Sequence, residues 1–375
     1  MIWVTRTERE GLWDNGSIAM PVTRLEIKQF SAFGEVALDF SPGLNVFIGE
    51  NATGKSHLMK LAYALIKPFE DARADTPIEL ERLIVKIKDK LAGVFQPEEG
   101  RLGRLVYRRV GKNTAKVSLG YGRNREIGFT LTAAGPLAAT IRKASSTPRS
   151  IFVPSREALA LYEGFIAAYE GRELSFDETY YDLCKALSAT PLRGPRMKAA
   201  RRLVRPLEGV LGGKVVLSGG RFYLKSEAGM GTIEAHLLAE GYRKIASIVH
   251  LISNGSLMKN AVLFWDEPEA NLNPRLITKV AQTLRFLAAA GVQILMATHD
   301  YLLSHELALA AEYGTDPSVA TRFFAFTREQ PSGAVRVTTA DHLAELSDNP
   351  ILQEFAAHYD REQRLFMGVD GGGRP

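Results

Sequence analysis

The sequence predicts an α/β fold around a mixed central sheet, and three stretches carry the prediction. The apolar run Leu44–Ile48 leads into Gly49-Glu50-Asn51-Ala52-Thr53-Gly54-Lys55-Ser56, and a helical period with Leu58, Leu61, Ala62 and Leu65 follows. The run Ala261–Trp265 is apolar throughout and ends in Asp266-Glu267. The stretch Gln293–Ala297 reads as another buried strand and ends in Thr298-His299. Strands buried on both faces, as in parallel sheets, read as continuous apolar runs rather than alternating ones.

The strong patterning begins after Met20. Residues 1–19 carry no clean period and are interrupted by Gly11 and Gly16. They are open to three readings: an N-terminal extension, a start codon placed too early, or an ordinary packed arm. Val22–Phe30 alternates apolar and polar residues, as a half-buried strand does. Val36–Phe40 reads as a second strand and Leu44–Ile48 as a third. Pro77–Leu91 reads as an amphipathic helix. Arg104–Val110, Ala115–Leu119 and Glu126–Leu131 read as strands of a flanking antiparallel lobe, separated by turn signals. Ser150–Pro154 is a short apolar strand. Residues 155–210 turn helical, with Tyr162, Phe165, Tyr169, Tyr180 and Tyr181 among them. Val215–Leu217 and Phe222–Leu224 flank Ser218-Gly-Gly-Arg221 as a hairpin would. Helices are then expected at Glu240–Ser253, Pro274–Ala290 and Tyr301–Tyr313, and strands at Arg322–Thr327 and Ala334–Val337. A last amphipathic helix, Pro350–Leu365, has Asn349 as cap and Pro350 in its first turn. The expected organisation is an N-terminal extension (1–20), a first lobe (21–154), an inserted helical subdomain (155–212), a second lobe (213–368) and a disordered tail (369–375).

Composition sets bounds. The chain has 375 residues, of which 46% are hydrophobic and 24% charged, an ordinary globular balance. One cysteine, Cys184, excludes a disulfide framework and a multi-cysteine zinc site, so a reducing, cytoplasmic setting is expected. No apolar run reaches the ~18 residues of a membrane span, and no secretory signal is expected at the N-terminus. The formal net charge of +5 permits nucleic-acid contact without demanding it.

The Gly49–Ser56 stretch fits G-x-x-x-x-G-K-[ST], the P-loop pattern, and has the strand-turn-helix context the pattern requires. Glycines let successive backbone N–H groups point into one concavity, and the helix N-terminus adds partial positive charge. Gly49, Glu50, Asn51, Ala52, Thr53, Gly54, Lys55, Ser56 and His57 are therefore expected around the phosphates of ATP. Lys55 is expected on the β- and γ-phosphates and Ser56 on Mg²⁺. Asp266-Glu267, at the end of an apolar strand, is the Walker B pattern. Ligands of such sheets bind beyond the strands' carboxyl ends. Asp266 is thus expected to hold Mg²⁺ and Glu267 to orient the attacking water. His299, likewise at a strand end, is suited to hydrogen-bond a γ-phosphate.

Taken in order, the P-loop, Asp266-Glu267-Pro268-Glu269-Ala270-Asn271-Leu272-Asn273-Pro274 and Ala297-Thr298-His299-Asp300 resemble the ABC-type ATPases. The closer likeness is to the SMC/RecF/OLD-like branch of soluble ATPases often labelled AAA, over residues 22–67 and 235–330. The resemblance implies a P-loop NTPase fold, Glu267 as catalytic base, Ala270–Asn273 as D-loop and His299 as switch histidine, with Lys55 completing the catalytic set. It also implies a signature motif. Leu238-Ala239-Glu240-Gly241-Tyr242-Arg243-Lys244 stands in its place, with Ala239 where the family has Ser. Glu240, Gly241 and Asn271 are then expected at the nucleotide of an opposing protomer, in a head-to-tail homodimer sandwiching two ATPs. At the family's Q-loop position stand Pro154-Ser155-Arg156-Glu157, without a Gln. Arg156 there is open to phosphate sensing or to pairing with a carboxylate.

Three functions follow as expectations. The leading one is an ATP-hydrolysing dimer that regulates a partner effector, such as a nuclease chain of an anti-phage or toxin–antitoxin module. The sequence has no Asp-x-Asp, which a TOPRIM nuclease needs for its metals, so that effector is expected to be a separate chain. The second is a RecF-like DNA-binding ATPase. It draws on the basic segment Arg193, Arg196, Lys198, Arg201, Arg202 and Arg205, with no acid between Thr190 and Pro206. A solvated helix face or a protein docking surface explains the same segment. A transporter ATPase, the third, would call for a coupling surface and a well-formed Gln loop, and is disfavoured by the N-terminal strand pattern and the stretch Asp266-Glu-Pro-Glu-Ala-Asn-Leu-Asn-Pro274.

Overall fold

A computed structural model describes residues 21–72, 79–107, 113–143, 146–315, 318–329 and 333–367. The expectations for residues 1–20 and 369–375, and for the start of the Pro77–Leu91 helix, lie outside them. In chain order the elements are β1 (Val22–Phe30), β2 (Phe33–Asp39), β3 (Leu44–Gly49), α1 (Lys55–Ile66), α2 (Leu80–Phe95), β4 (Thr114–Tyr121), β5 (Arg125–Thr132), β6 (Leu137–Arg142) and β7 (Ser150–Val153). Then come α3 (Phe165–Glu170), α4 (Glu178–Leu187), α5 (Gly194–Leu211), β8 (Gly213–Ser218), β9 (Arg221–Ser226), β10 (Thr232–Glu234), α6 (Glu240–Ser253) and β11 (Val262–Asp266). α7 (Pro274–Ala289), β12 (Gln293–Thr298), α8 (Tyr301–Glu312), β13 (Thr321–Arg328), β14 (Val335–Ala340) and α9 (Pro350–Phe366) complete the described chain.

The central sheet is mixed, as expected, with strand order β14-β13-β3-β12-β11-β7. β13, β3, β12, β11 and β7 run parallel, and β14 closes the edge antiparallel. Alternate residues of each central strand enter different cores. Leu44, Val46, Ile48, Leu263, Trp265, Ile294 and Met296 pack toward α6, α7 and α8. Phe47, Phe264, Leu295 and Ala297 pack toward α1 and the antiparallel sheet β2-β1-β4-β5-β6. Both faces are dry, so these strands read as unbroken apolar runs. Register aligns Ile48 with Thr298 and Ala297 with Asp266, so β3, β12 and β11 deliver their carboxyl ends to one place.

Two buried polar residues interrupt the apolar runs. Asn45 Nδ2 donates to the carbonyls of Ser41 and Ile294, and its Oδ1 accepts from Ser41 N. Gln293 Nε2 donates to the carbonyls of Val22 and Ser41, both at 2.8 Å, and its Oε1 accepts from Val22 N at 2.8 Å. The Gln293 amide thus fastens the start of the antiparallel lobe to the central sheet. A Gln293→Leu variant takes the side-chain partner from the buried Val22 N–H and carbonyl, while the Ser41 carbonyl keeps Asn45 Nδ2, and is expected to lose about 2 kcal/mol of stability. Chemical denaturation measures this, and an unchanged midpoint would contradict the assignment.

The β8–β9 hairpin forms as expected. Ser218 pairs with Arg221 across Gly219 and Gly220, whose φ values of 57° and 78° are those of a two-residue type I′ turn. One expectation is corrected. Over its described part, Arg104–Val110 is not a strand: Leu102–Leu105 is a 3₁₀ turn, and Val106 makes only an isolated bridge to Phe30. Buried Leu102, Leu105 and Val106 fill the antiparallel core from a turn, which leaves the same apolar signature as a strand. Asn349 caps α9 as expected, its Oδ1 accepting from Ile351 N and Leu352 N at 3.2 Å.

Candidate functional site

The P-loop turns between the end of β3 and the start of α1. Ala52 and Gly54 both have positive φ, 62° and 89°. At Gly54 a Cβ would lie 2.8 Å from the Phe33 ring, so the position needs glycine for space as well as for conformation. Lys55 Nζ donates to the carbonyls of Gly49 and Glu50, both at 2.7 Å. Thr53 Oγ1 donates to the Glu50 carbonyl at 2.8 Å, and Arg328 Nη2, from the end of β13, holds the Ala52 carbonyl at 2.5 Å. The loop is therefore pinned from two sides, and exposed Asn51 stands at its tip. Burial lowers the pKa of Lys55, while Glu267, Asp266, Glu269 and Glu50 pull it back up. His57, one helical position past Ser56, turns its ring to the antiparallel lobe: Nδ1 lies 2.5 Å from Ser31 Oγ and the ring meets Phe95 edge-on. Its side chain is thus turned away from the loop, in contrast to the expectation that placed it at the phosphates.

Ser56 Oγ donates to Asp266 Oδ1 at 2.9 Å, joining the P-loop to the end of β11 across a sequence separation of 210. Burial raises the Asp266 pKa, against the Ser56 hydrogen bond, so its carboxylate gains from a nearby cation. A hydroxyl and a buried carboxylate side by side form an all-oxygen donor pair, which fits Mg²⁺ shared with phosphates. Glu267 has a φ of 46°, unusual for a residue with a side chain. Its N–H donates to the Ala297 carbonyl at 3.0 Å, and its carbonyl accepts from Lys244 Nζ at 3.2 Å and Ala270 N at 3.1 Å. This conformation aims the carboxylate at His299, with Oε1 3.2 Å from Nδ1. The pair shifts in a concerted sense. The hydrogen bond to His299 lowers the Glu267 pKa, and the same bond raises that of His299.

Two residues without an expected role complete this cluster. Glu269 is only 5% exposed, and its Oε1 accepts from Thr298 Oγ1 at 2.6 Å and His299 N at 3.3 Å. It fixes the β12 terminus and hence the height of the histidine. Lys244, on the signature helix α6, is 1% exposed and donates to the carbonyls of Glu267 and Ala270. Glu269 stands inside the quoted Asp-Glu-Pro-Glu stretch and Lys244 inside the signature stretch. A buried-charge reading of either motif would have found them.

The residues expected to form the signature lie beside those expected to form the D-loop, in a second cluster. Asn271 Nδ2 donates to Glu240 Oε2 at 2.9 Å. A Cβ on Gly241 would stand 2.2 Å from Leu272 Cδ2, so this glycine also serves the close packing of α6 on the D-loop. At the Q-loop position it is Glu157, not Arg156, that forms the ion pair: Arg243 Nε lies 2.7 Å from Glu157 Oε1. Arg156 is exposed.

α1 carries more than the P-loop. One turn past Ser56, Lys60 Nζ meets Asp177 Oδ2 at 2.8 Å, and Tyr63 Oη donates to Asp182 Oδ2 at 2.7 Å. Lys90 of α2 bridges Glu178 and Asp182 at 2.5 and 3.0 Å. The helix α4 is thereby tied by charge to α1, the helix that follows the Gly49–Gly54 loop. The basic segment lies apart from this site, on α5.

Residues 141–304 match the family described as "AAA domain, putative AbiEii toxin, Type IV TA system", and residues 24–139 match a family described as "AAA domain". The DNA replication and repair protein RecF of Halalkalibacterium halodurans is 38% identical over 85 residues, 22% of each chain. RecF of Streptococcus uberis is 46% identical over 46 residues, covering 12% of this chain and 13% of that protein. The chain thus spans about a fifth or less of the length of these relatives. Among solved structures, an SMC head bound to the C-winged helix domain of ScpA aligns with a TM-score of 0.51 at 14% identity, over 85% of this chain and 97% of that one. That likeness concerns the fold. No helix among the described residues is long and apolar enough to cross a membrane.

Proposed function

Since the chain belongs to the SMC/RecF branch of P-loop ATPases, we propose that it binds Mg-ATP and hydrolyses it in a head-to-tail homodimer. The observation that carries this reading is the convergence of Ser56–Asp266 and Glu267–His299 at the aligned ends of β3, β11 and β12. Backbone N–H groups of Gly49–His57 and the Lys55 ammonium would cradle the phosphates. Ser56 and Asp266 would hold Mg²⁺, which neutralises charge on the β- and γ-oxygens when bound. Glu267, kept ionised by His299, accepts a hydrogen bond from the attacking water and then its proton. His299 stays aligned by Glu269 and presents a positive edge toward the γ-phosphate. Gly241, Glu240 and Asn271 form the face offered to the nucleotide of the second protomer.

Hydrolysis should carry the signature of the Glu267–His299 pair. Glu267 works as the carboxylate, and His299 supplies the largest contribution lowering its pKa. His299→Ala removes that contribution, so Glu267 titrates at higher pH. The acidic limb of the kcat/KM profile is expected to move upward, besides the loss in rate. An acidic limb that stays in place would detach His299 from Glu267 in function.

The dimer is proposed to act on a separate effector chain. A second reading, a DNA-binding ATPase of the RecF kind, is favoured by the RecF relatives. DNA-stimulated hydrolysis separates the two: stimulation favours the second reading, and its absence the first.

A further inference from the structure

We infer that the outer face of α5 is a site for the phosphate backbone of duplex DNA. The inference deepens the DNA-binding reading above and rests on it. Leu192 N donates to the Ser253 carbonyl at 2.9 Å, which anchors the chain at the end of α6 just before the helix. Ala200, Leu203, Val204, Leu207 and Leu211 then bury the inner face. This fixes the orientation of the rest. Arg193, Arg196, Lys198, Arg201, Arg202 and Arg205 are all exposed. None forms an ion pair or side-chain hydrogen bond among the described residues. Elsewhere on the surface exposed cations do find acids, as in Lys28–Glu35, Arg221–Glu163 and Arg361–Glu354. The one acid of α5, Glu208, is half-buried, and Lys214 and Arg201 act on it.

A row of exposed cations that form no ion pair among the described residues, with only half-buried Glu208 near Arg201, suits a polyanion. Lys198, Arg201/Arg202 and Arg205 recur one helical turn apart, about 5 Å per turn along one side. Single-strand sites add aromatic platforms for base stacking, and the exposed face of α5 has none. A membrane surface would draw large apolar residues between the cations, and the exposed uncharged residues of α5 are Gly194, Pro195, Pro206 and Gly209 instead. Exposed Pro206 also places its missing hydrogen bond on the solvent side. The network from Asp177, Glu178 and Asp182 to Lys60 and Lys90 links the preceding helix to α1, so a load on this region has a charged route to the P-loop helix.

The test is fluorescence anisotropy with a labelled duplex of about 30 base pairs and a single strand of equal length, titrated between about 50 and 200 mM salt. The variants are Arg201→Glu/Arg202→Glu and Lys198→Gln/Arg205→Gln. With two phosphate contacts removed, duplex affinity at about 0.1 M salt is expected to fall roughly 60-fold, and the log–log salt slope to shrink by about 1.8. Basal hydrolysis stays, and any stimulation by DNA is lost. Duplex binding with the same affinity and slope in both variants overturns this site and leaves the DNA-binding reading standing. No binding of either DNA by the unaltered protein at low salt overturns both. Tighter binding of the single strand, lost in the same variants, overturns the duplex assignment.

Discussion

Glu267→Gln is expected to bind ATP about as well as the unaltered protein and to hydrolyse it about 10²- to 10⁴-fold more slowly, the usual contribution of a positioned general base. The substitution keeps length and shape, so the backbone at φ 46° and the hydrogen bonds to Ala297, Ala270 and Lys244 persist. What changes is the charge at Oε1. A neutral amide neither accepts the proton of the attacking water nor holds His299 in its protonated form. Single-turnover hydrolysis together with equilibrium ATP binding separates the two effects. A variant that hydrolyses at more than a tenth of the normal rate would remove Glu267 from the role of base.

Lys55→Ala is the second large effect. Lys55 Nζ already spans the Gly49 and Glu50 carbonyls, at the position where the phosphates would gather. Burial works against its charge, and four carboxylates (Glu267, Asp266, Glu269 and Glu50) work for it. Removing the ammonium takes away a charge-assisted contact of about 1.5–3 kcal/mol, so ATP affinity should fall roughly 10- to 100-fold. Isothermal titration checks this, with thermal melting alongside to separate loss of binding from loss of fold. Unchanged affinity would mean that the loop does not cradle the phosphates.

The frame of the site was legible because its strands are buried on both faces. β3, β11 and β12 each read as apolar runs, and each ends at a chemistry-bearing residue. Helix ends were legible where a short polar cap met a Pro, as at Asn349-Pro350. What escaped was local in signal or distant in cause. β6 alternates half-buried and exposed residues at a sheet edge, and β10 is three residues long, so neither has a strong period. Leu102–Val106 has the apolar content of a strand with the backbone of a turn. Glu269 and Lys244 owe their burial to contacts made 23 to 30 residues away in sequence, between Lys244 and Glu267 and between Glu269 and His299. Gln293 stands first in a stretch read as a buried strand, and the partners that bury its amide lie at Val22 and Ser41. Gly241 was legible as a glycine at a helix start, but its packing against Leu272 shows only in three dimensions.

The homodimer closed by ATP is the central claim, because it alone gives Gly241, Glu240 and Asn271 a nucleotide to meet. The most direct measurement is the light-scattering mass of the Glu267→Gln protein with and without Mg-ATP. A shift from one chain to two on ATP alone is the expected result. A mass of one chain at saturating Mg-ATP would contradict the composite site, while leaving the P-loop itself in place.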